Sequence, residues 1–201
     1  PIVILLYYLL PHKFRWILLL LASYIFYMAW RVEYIFLIIF STLIDYYCSL
    51  KMESKDTQKK KRFLYLSMFS NLGLLFFFKY FNFFSSNLNS LGSNIGLTAE
   101  IPMLKYLLPV GISFYTFQTL SYSIDVYHGK QKAEKHLGYF ALYVAYFPQL
   151  VAGPIERFSR LSPQLKENHP FTYDNFVKGM RLILYGLFIK MVIADNLSVY
   201  V

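Results

Sequence analysis

Long apolar stretches alternate with short polar segments along the whole chain. The apolar stretches cover residues 1–10, 14–30, 33–50, 63–84, 104–124, 137–152 and 176–194. Most of them approach the roughly 20 mostly apolar residues that an α-helix needs to cross a bilayer. The pattern therefore predicts an all-α, polytopic membrane protein in which residues 1–201 form a single transmembrane unit.

The composition agrees with this class. The chain is 57% hydrophobic and only 15% charged, whereas soluble domains usually carry about 25% charged residues. The formal charge is +9, but the basic residues lie mainly between the apolar stretches. In that position they indicate topology and contact with membrane lipids, so we expect no nucleic-acid partner.

The polar segments divide clearly by charge, which predicts an orientation. If segment 51–62 is cytoplasmic, strict alternation places eleven basic residues of the polar segments inside and only Arg31 outside. Cytoplasmic loops are enriched in Lys and Arg, so this is the favoured topology.

Segment 153–175 breaks that alternation, because it would lie outside although it carries Arg157, Arg160 and Lys166. The conflict disappears if 137–152, which is short and interrupted at Pro148, enters from the cytoplasm and turns back. Irregular backbone at membrane depth is tolerated only inside protein or beside a wet cavity. We therefore predict a re-entrant segment that forms part of a cavity wall.

The residues after this break predict a second short helix. Gly153 and Pro154 can end one helix and start another, since proline fits the first helical position. Glu156 would then lie in the first turn, where a negative charge favours the helix dipole. Pro163 is expected to end the helix.

Polar side chains inside the apolar stretches are candidates for function or for helix packing. Ser113, Gln118 and Tyr122 share one face of a predicted helix, so they either form interhelical hydrogen bonds or line a tunnel. Asp45 lies in another apolar stretch. For Asp45, hydrogen-bonded packing is favoured over lining a cavity or pairing with a basic residue.

No residue of this sequence is predicted to be catalytic. The four histidines lie in predicted loops or at the ends of apolar stretches: His12, His128, His136 and His169. A general base for acyl transfer belongs in a sheltered pocket beside the reacting hydroxyl. No two histidines are spaced as ligands on one helix face, so no metal site is expected either.

Three long blocks carry a family resemblance: "LPVGISFYTFQTLSYSIDVYHG", "YFPQLVAGPIERFSRLSPQL" and "FVKGMRLILYGLFIKMVIADNLS". They resemble consecutive blocks of the membrane-bound O-acyltransferase (MBOAT) family, in its bacterial alginate O-acetylation branch. The resemblance implies a multi-helix bundle with broken helices around a central tunnel, in the bacterial inner (cytoplasmic) membrane. The active-site histidine of that family lies in a later block, so we expect this sequence to be an incomplete fragment of a longer protein.

The resemblance also implies a reaction. An acyl group, in the first place acetyl, would pass from a cytoplasmic thioester donor, acetyl-CoA or an acyl carrier, to a hydroxyl of an exported polysaccharide or other cell-envelope glycan. No bound cofactor is expected, while other cell-envelope O-acetylation proteins are expected partners. The candidate tunnel-lining or substrate-lining residues are Ser113, Gln118, Tyr122, Gln149, Pro154, Glu156, Arg157 and Arg160.

Two other classes of function fit the same broken helices. A permease or flippase would move a cell-envelope precursor through them without covalent change, and a scaffold would hold an export complex together. A histidine block further along the full-length protein favours the enzyme, whereas an inverted copy of the helix pattern favours a carrier.

Overall fold

The computed structural model describes residues 2–94, 101–103, 109–151 and 153–198. Within these ranges all regular secondary structure is helical, without a strand. The predicted all-α class is therefore confirmed for the described part of the chain.

By its internal contacts the chain divides into two compact units, Pro1–Glu167 and Asn168–Val201. The helices of the first unit are α1 (Ile2–Leu9), α2 (His12–Met28), α3 (Ile35–Met52), α4 (Thr57–Leu75), α5 (Phe81–Asn94), α6 (Ile112–Tyr127), α7 (Leu137–Ala145), α8 (Phe147–Leu150) and α9 (Phe158–Lys166). Those of the second unit are α10 (Tyr173–Phe188) and α11 (Asp195–Leu197), joined by a π-helical segment, Ile189–Ala194. The prediction of a single transmembrane unit stays a prediction.

Among the residues that the structure describes, two helical stretches are long and apolar enough to cross a bilayer, Val32–Met52 and Thr57–Leu91. The first joins a short 3₁₀ turn to α3, and the second joins α4 to α5 through a π-helical segment, Phe76–Tyr80. They coincide with two of the predicted spans. The other predicted spans and the multi-pass arrangement stay predictions.

The basic segment 51–62 is largely helical, so its interpretation as a loop is wrong. The Asp56 carboxylate accepts hydrogen bonds from the backbone N–H groups of Gln58 (2.9 Å) and Lys59 (3.3 Å). Aspartate is a preferred N-cap because it satisfies N–H groups that have no partner within the helix. Helix α4 therefore begins at Thr57, and only a short turn separates it from α3.

The polar segment 85–103 also contains more helix than predicted, because α5 continues to Asn94. Asn87 Nδ2 and Ser90 Oγ each donate to the backbone carbonyl four residues earlier, at 2.7 and 3.0 Å. Side chains that bond to their own helix in this way need not break it. A polar composition was therefore a poor guide to the end of this helix.

Helices α3, α4 and α6 pack around a buried polar network. Its members are Ser41, Asp45, Ser67, Asn71, Thr119 and Ser123, all at most 1% exposed. The Asp45 carboxylate accepts hydrogen bonds from Ser67 Oγ (2.6 Å) and Asn71 Nδ2 (2.8 Å). Burial without partners would be very unfavourable for these groups. The interpretation of Asp45 as a hydrogen-bonded packing residue is confirmed.

The break in the predicted re-entrant stretch falls at Tyr146 and not at Pro148. Tyr146 leaves the helical conformation at ψ 107°, which separates α7 from α8. Pro148 is the second residue of α8. In a first helical turn its missing N–H removes no hydrogen bond, so the proline is accommodated inside the short helix.

The second short helix is also displaced from its predicted position. Helix α9 begins at Phe158, after an extended Arg157 (ψ 144°), so Glu156 does not lie in its first turn as predicted. Pro163 lies inside α9, which continues to Lys166. The carbonyl that Pro163 leaves without a helical donor belongs to Ser159, an exposed residue, so water can satisfy it.

Candidate functional site

The broken helix is held by two glutamine side chains that converge on one backbone carbonyl. In an unbroken helix the carbonyl of Tyr143 would accept from the N–H of Phe147, but that N–H donates instead to Ser23 Oγ at 3.2 Å. The Tyr143 carbonyl accepts from Gln118 Nε2 at 2.8 Å and from Gln149 Nε2 at 3.2 Å. Gln118 and Gln149, the amide pair, thus replace the helical donor that the break removes.

The backbone around the break is closely packed. Gly111 has φ +75°, and a Cβ there would lie 2.5 Å from the carbonyl oxygen of Leu150. A Cβ on Gly153 would lie 2.6 Å from the Cα of Gln149. Only glycine allows such approaches. The amide pair is buried within this packing, and its place in a tunnel stays a prediction.

Segment 137–166 folds as a hairpin whose second half returns along the first. The Tyr143 hydroxyl donates to the carbonyl of Glu156 at 3.0 Å, and the Phe158 ring lies 4.9 Å from the Tyr143 ring. Near the end of α9, Lys166 forms an ion pair with Glu134, just before α7. Both ends of the hairpin therefore meet at one place. This geometry agrees with a segment that enters and leaves on the same side, although re-entry into a membrane stays a prediction.

The side chain of Tyr122, a predicted lining residue, packs in the core and bonds to the loop that precedes α7. Its ring is 1% exposed and lies 4.8 Å from the rings of Phe140 and Phe158. Its hydroxyl accepts from the Glu134 N–H at 2.8 Å. Ser113 lies in the first turn of α6, partly buried. The structure therefore gives Tyr122 a packing role on the shared face that the sequence predicted, and the lining roles stay predictions.

The remaining predicted residues lie on the returning half of the hairpin. Arg157 approaches Asp125 of α6 at 3.9 Å, and Arg160 approaches Glu156 at the same distance. Both arginine side chains are mostly exposed, and Pro154 is exposed as well. Exposed ion pairs contribute little to stability, so these two pairs do little to hold the hairpin in place.

A cleft of about 860 Å³ opens where the loop 129–135 meets the adjoining ends of α3, α4 and α6 and one side of α9. Its charged lining residues are Glu53, Lys60, Lys132, Glu134, Lys135 and Lys166. We call this feature the basic cleft. It brings together the two segments predicted to be cytoplasmic, 51–62 and 125–136, with Lys166 from the segment that broke the alternation.

The two carboxylates of the basic cleft are both engaged locally. Glu53 Oε1 accepts from the N–H of Ala133 at 3.0 Å. Glu134 Oε1 accepts from the N–H of His136 at 3.0 Å, and its Oε2 pairs with Lys166. Within the described ranges, Lys60, Lys132 and Lys135 have no carboxylate oxygen within 4.0 Å. The cleft therefore carries an excess of positive charge.

The side chain of His136 has a structural role. Its Nδ1 accepts from the Tyr139 N–H at 3.3 Å, which caps the start of α7, and its ring lies 5.0 Å from that of Trp16. In the part of the chain that the structure describes, no group of three or more His, Cys, Asp and Glu residues is arranged to hold a metal ion. The expectation of no metal stays a prediction.

Curated relatives match almost the whole chain. A probable alginate O-acetylase of Pseudomonas putida is 42% identical over 201 residues, which cover 99% of this chain and 41% of that relative. One of Pseudomonas aeruginosa is 40% identical, covering 98% of this chain and 38% of the relative. A peptidoglycan O-acetyltransferase of Helicobacter pylori is 34% identical over 205 residues, covering 89% of this chain and 38% of the relative.

The predicted family resemblance is confirmed. The chain is similar, along nearly its whole length, to probable alginate O-acetylases of the MBOAT family. It spans about two fifths of the length of the curated relatives it matches. No family model and no solved structure matches it.

Sequence reasoning missed the basic cleft and the carbonyl of Tyr143. A signal for the cleft was present, since two basic segments predicted on the same side of a bundle must end near each other. The lysines of these segments also set the topology, and that role alone explains their number. The Tyr143 carbonyl has no such signal, because the loss of its helical donor depends on where the helix breaks.

Proposed function

We propose that the full-length protein is a multi-pass O-acetyltransferase of the bacterial inner membrane, which acetylates hydroxyl groups of an exported polysaccharide or other cell-envelope glycan. The observation that carries this proposal is the near-complete alignment with relatives named for two different acceptors, alginate and peptidoglycan. Acetyl transfer to a glycan hydroxyl is what those names share.

The proposed reaction is direct acyl transfer. The acceptor hydroxyl oxygen attacks the carbonyl carbon of the acetyl thioester, a C–O bond forms, the C–S bond breaks and the thiol leaves. The hydroxyl proton passes to a general base, a step typically worth 10²–10⁴-fold in rate. The family resemblance assigns this base to a histidine outside residues 1–201.

The residues of this chain would hold the reactants in line and exclude water. In this proposal the amide pair fixes the broken helix beside a tunnel, where Ser113 and Tyr122 complete one polar face. Glu156, Arg157 and Arg160 lie at its cytoplasmic mouth, near Pro154. There they hold the wall or meet an acidic donor, either acetyl-CoA or an acyl carrier. Other cell-envelope O-acetylation proteins are proposed partners.

The names of the relatives favour the transferase over a permease or flippase. The two proposals differ in what they change. Loss of a transferase removes ester groups from a glycan that is still exported, whereas loss of a carrier reduces the amount of exported glycan.

The test uses the full-length protein in cells that lack the native copy. We expect Gln118→Ala together with Gln149→Ala to lower the O-acetyl content of the purified glycan at least roughly tenfold, because a misplaced helix break misaligns the reactants. Each single variant should lower it much less, since the Tyr143 carbonyl keeps one donor. Ester content is measured by NMR of the purified glycan, and protein level by immunoblot.

Gln164→Ala is the matched control, because Gln164 is exposed and its side-chain amide donates within its own helix, to the Arg160 carbonyl at 3.1 Å. Its ester content should equal that of the native protein. Unchanged ester content in the double variant at normal protein level would remove the amide pair from the site. Reduced export with unchanged esterification would support the carrier instead.

A further inference from the structure

The basic cleft lies outside the residues assigned above to the acyl-transfer site. Its volume of about 860 Å³ falls within the roughly 300–1,000 Å³ of pockets that hold small organic ligands. It is lined by residues of three stretches that are distant in the sequence, 52–60, 126–135 and 158–166. Such a cleft is large enough for a ligand with several polar groups.

The loop that forms one wall of the basic cleft is held at three successive positions. The N–H of Ala133 donates to Glu53, the N–H of Glu134 donates to the Tyr122 hydroxyl at 2.8 Å, and the carbonyl of Lys135 accepts from the Tyr46 hydroxyl at 2.6 Å. These bonds fix the backbone from which Lys132 and Lys135 project. The positive charges are therefore presented on an ordered frame.

The opposite wall adds hydroxyl groups and a paired lysine. Ser159 and Ser162 of α9 line the cleft, and Ser162 is only 4% exposed. Lys166 completes this wall but is paired with Glu134. Ammonium and hydroxyl groups donate hydrogen bonds, and the oxygens of a phosphate group accept them. The free lysines supply the charge, while the serines supply neutral donors.

We propose that the basic cleft binds a phosphate-bearing anion through Lys60, Lys132 and Lys135, and that the Glu134 carboxylate competes with this anion for Lys166. The inference concerns binding alone and does not depend on the proposed function. The shared chemistry is an anionic phosphate ester, which a soluble nucleotide or a phospholipid headgroup can supply.

Native mass spectrometry of the full-length protein, released from detergent micelles, distinguishes the two sources. One arm adds ADP as the soluble phosphate, and the other adds phosphatidylglycerol, with phosphatidylcholine as the zwitterionic comparison of zero net charge. We expect Lys60→Gln with Lys132→Gln to weaken retention of the bound phosphate compound about tenfold, since two direct charge contacts are lost. Retention of ADP assigns a soluble ligand, and retention of phosphatidylglycerol alone assigns a lipid.

Lys51→Gln with Lys55→Gln is the matched control, because it removes the same charge from exposed residues that do not line the basic cleft. Equal weakening by both double variants, or no weakening by either, would overturn the proposal. The melting temperature of every variant is measured as well, and it should equal that of the native protein because these lysines are exposed or only half-buried.

Substitution of the competing carboxylate, Glu134, is expected to change the affinity for the anion in the opposite direction. Glu134→Gln should strengthen binding about threefold, because Lys166 is released while the amide oxygen can still accept from the His136 N–H. Glu167→Gln, an exposed change of the same charge near the end of α9, should leave binding unchanged. Weaker binding in Glu134→Gln would contradict the competition.

Discussion

The buried polar network and the basic cleft are both hydrophilic and both involve α3, α4 and α6, yet they differ in how their polar groups are used. In the network, Asp45 has partners on two other side chains and Asn71 accepts from Ser41 and Thr119. In the cleft, three described lysines have no carboxylate within reach. Full pairing at the centre holds helices together, whereas incomplete pairing at the edge leaves charge for a ligand.

The largest effect on stability is expected in the buried polar network, where the pairing is complete. Asp45→Ala removes the carboxylate that accepts from both Ser67 and Asn71 inside the buried network and leaves each with one other acceptor. We expect this loss to lower the free energy of unfolding by about 2–3 kcal/mol. Asp45→Asn keeps one acceptor oxygen and should lose less. The melting midpoint of the full-length protein in detergent, followed by tryptophan fluorescence at a fixed heating rate, measures both.

Glu33→Ala serves as the control, since Glu33 is an exposed acid just before α3. Its midpoint should match the native one. If Asp45→Ala had the same melting midpoint as Glu33→Ala, the buried polar network would contribute nothing to stability. The distinction between the network and the basic cleft would then fail.

An intermediate effect is expected where the hairpin meets α6. Gly111→Ala combines a positive φ with a Cβ 2.5 Å from the Leu150 carbonyl oxygen, so we expect a loss of about 1–2 kcal/mol in the free energy of unfolding. Gly73→Ala has open space around its Cβ within α4. It should be neutral or slightly stabilising, because alanine favours helix. Equal midpoints for the two variants would show that the hairpin contact is loose.

The smallest effect on stability is expected at the exposed ion pair of Arg157. Arg157→Gln removes an exposed ion pair at 3.9 Å, and we expect a change of a few tenths of a kcal/mol at most. Glycan ester content then separates its two proposed roles. A fall in esterification at unchanged melting midpoint would favour contact with the donor, whereas a fall in both would make Arg157 a structural anchor.

Local sequence signals predicted the helical class and the role of Asp45, because a lone acid in an apolar stretch has few stable solutions. They also predicted a break near Pro148 and Gly153. The position of the break was wrong by two residues, since a first helical turn accommodates Pro148. The prediction from Pro163 was wrong for a related reason, because the carbonyl that it leaves without a donor belongs to the exposed Ser159 and can bond to water.

The basic cleft could not be predicted from local signals, because Lys60, Lys132 and Lys166 are brought together only by the packing of α6 and the hairpin. The family blocks, by contrast, were visible directly in the sequence. The resemblance was therefore easier to recognise than the geometry that its residues adopt.

The hydrogen bond from the Phe147 N–H to Ser23 Oγ joins positions 124 residues apart. During synthesis, Ser23 is made long before the segment that it stabilises, so its helix exists for a time without that contact. The interruption between α7 and α8 can be completed only when the late segment docks against the early one. Assembly of this region is therefore ordered in time, with the amino-terminal helices acting as the template on which the hairpin is finished.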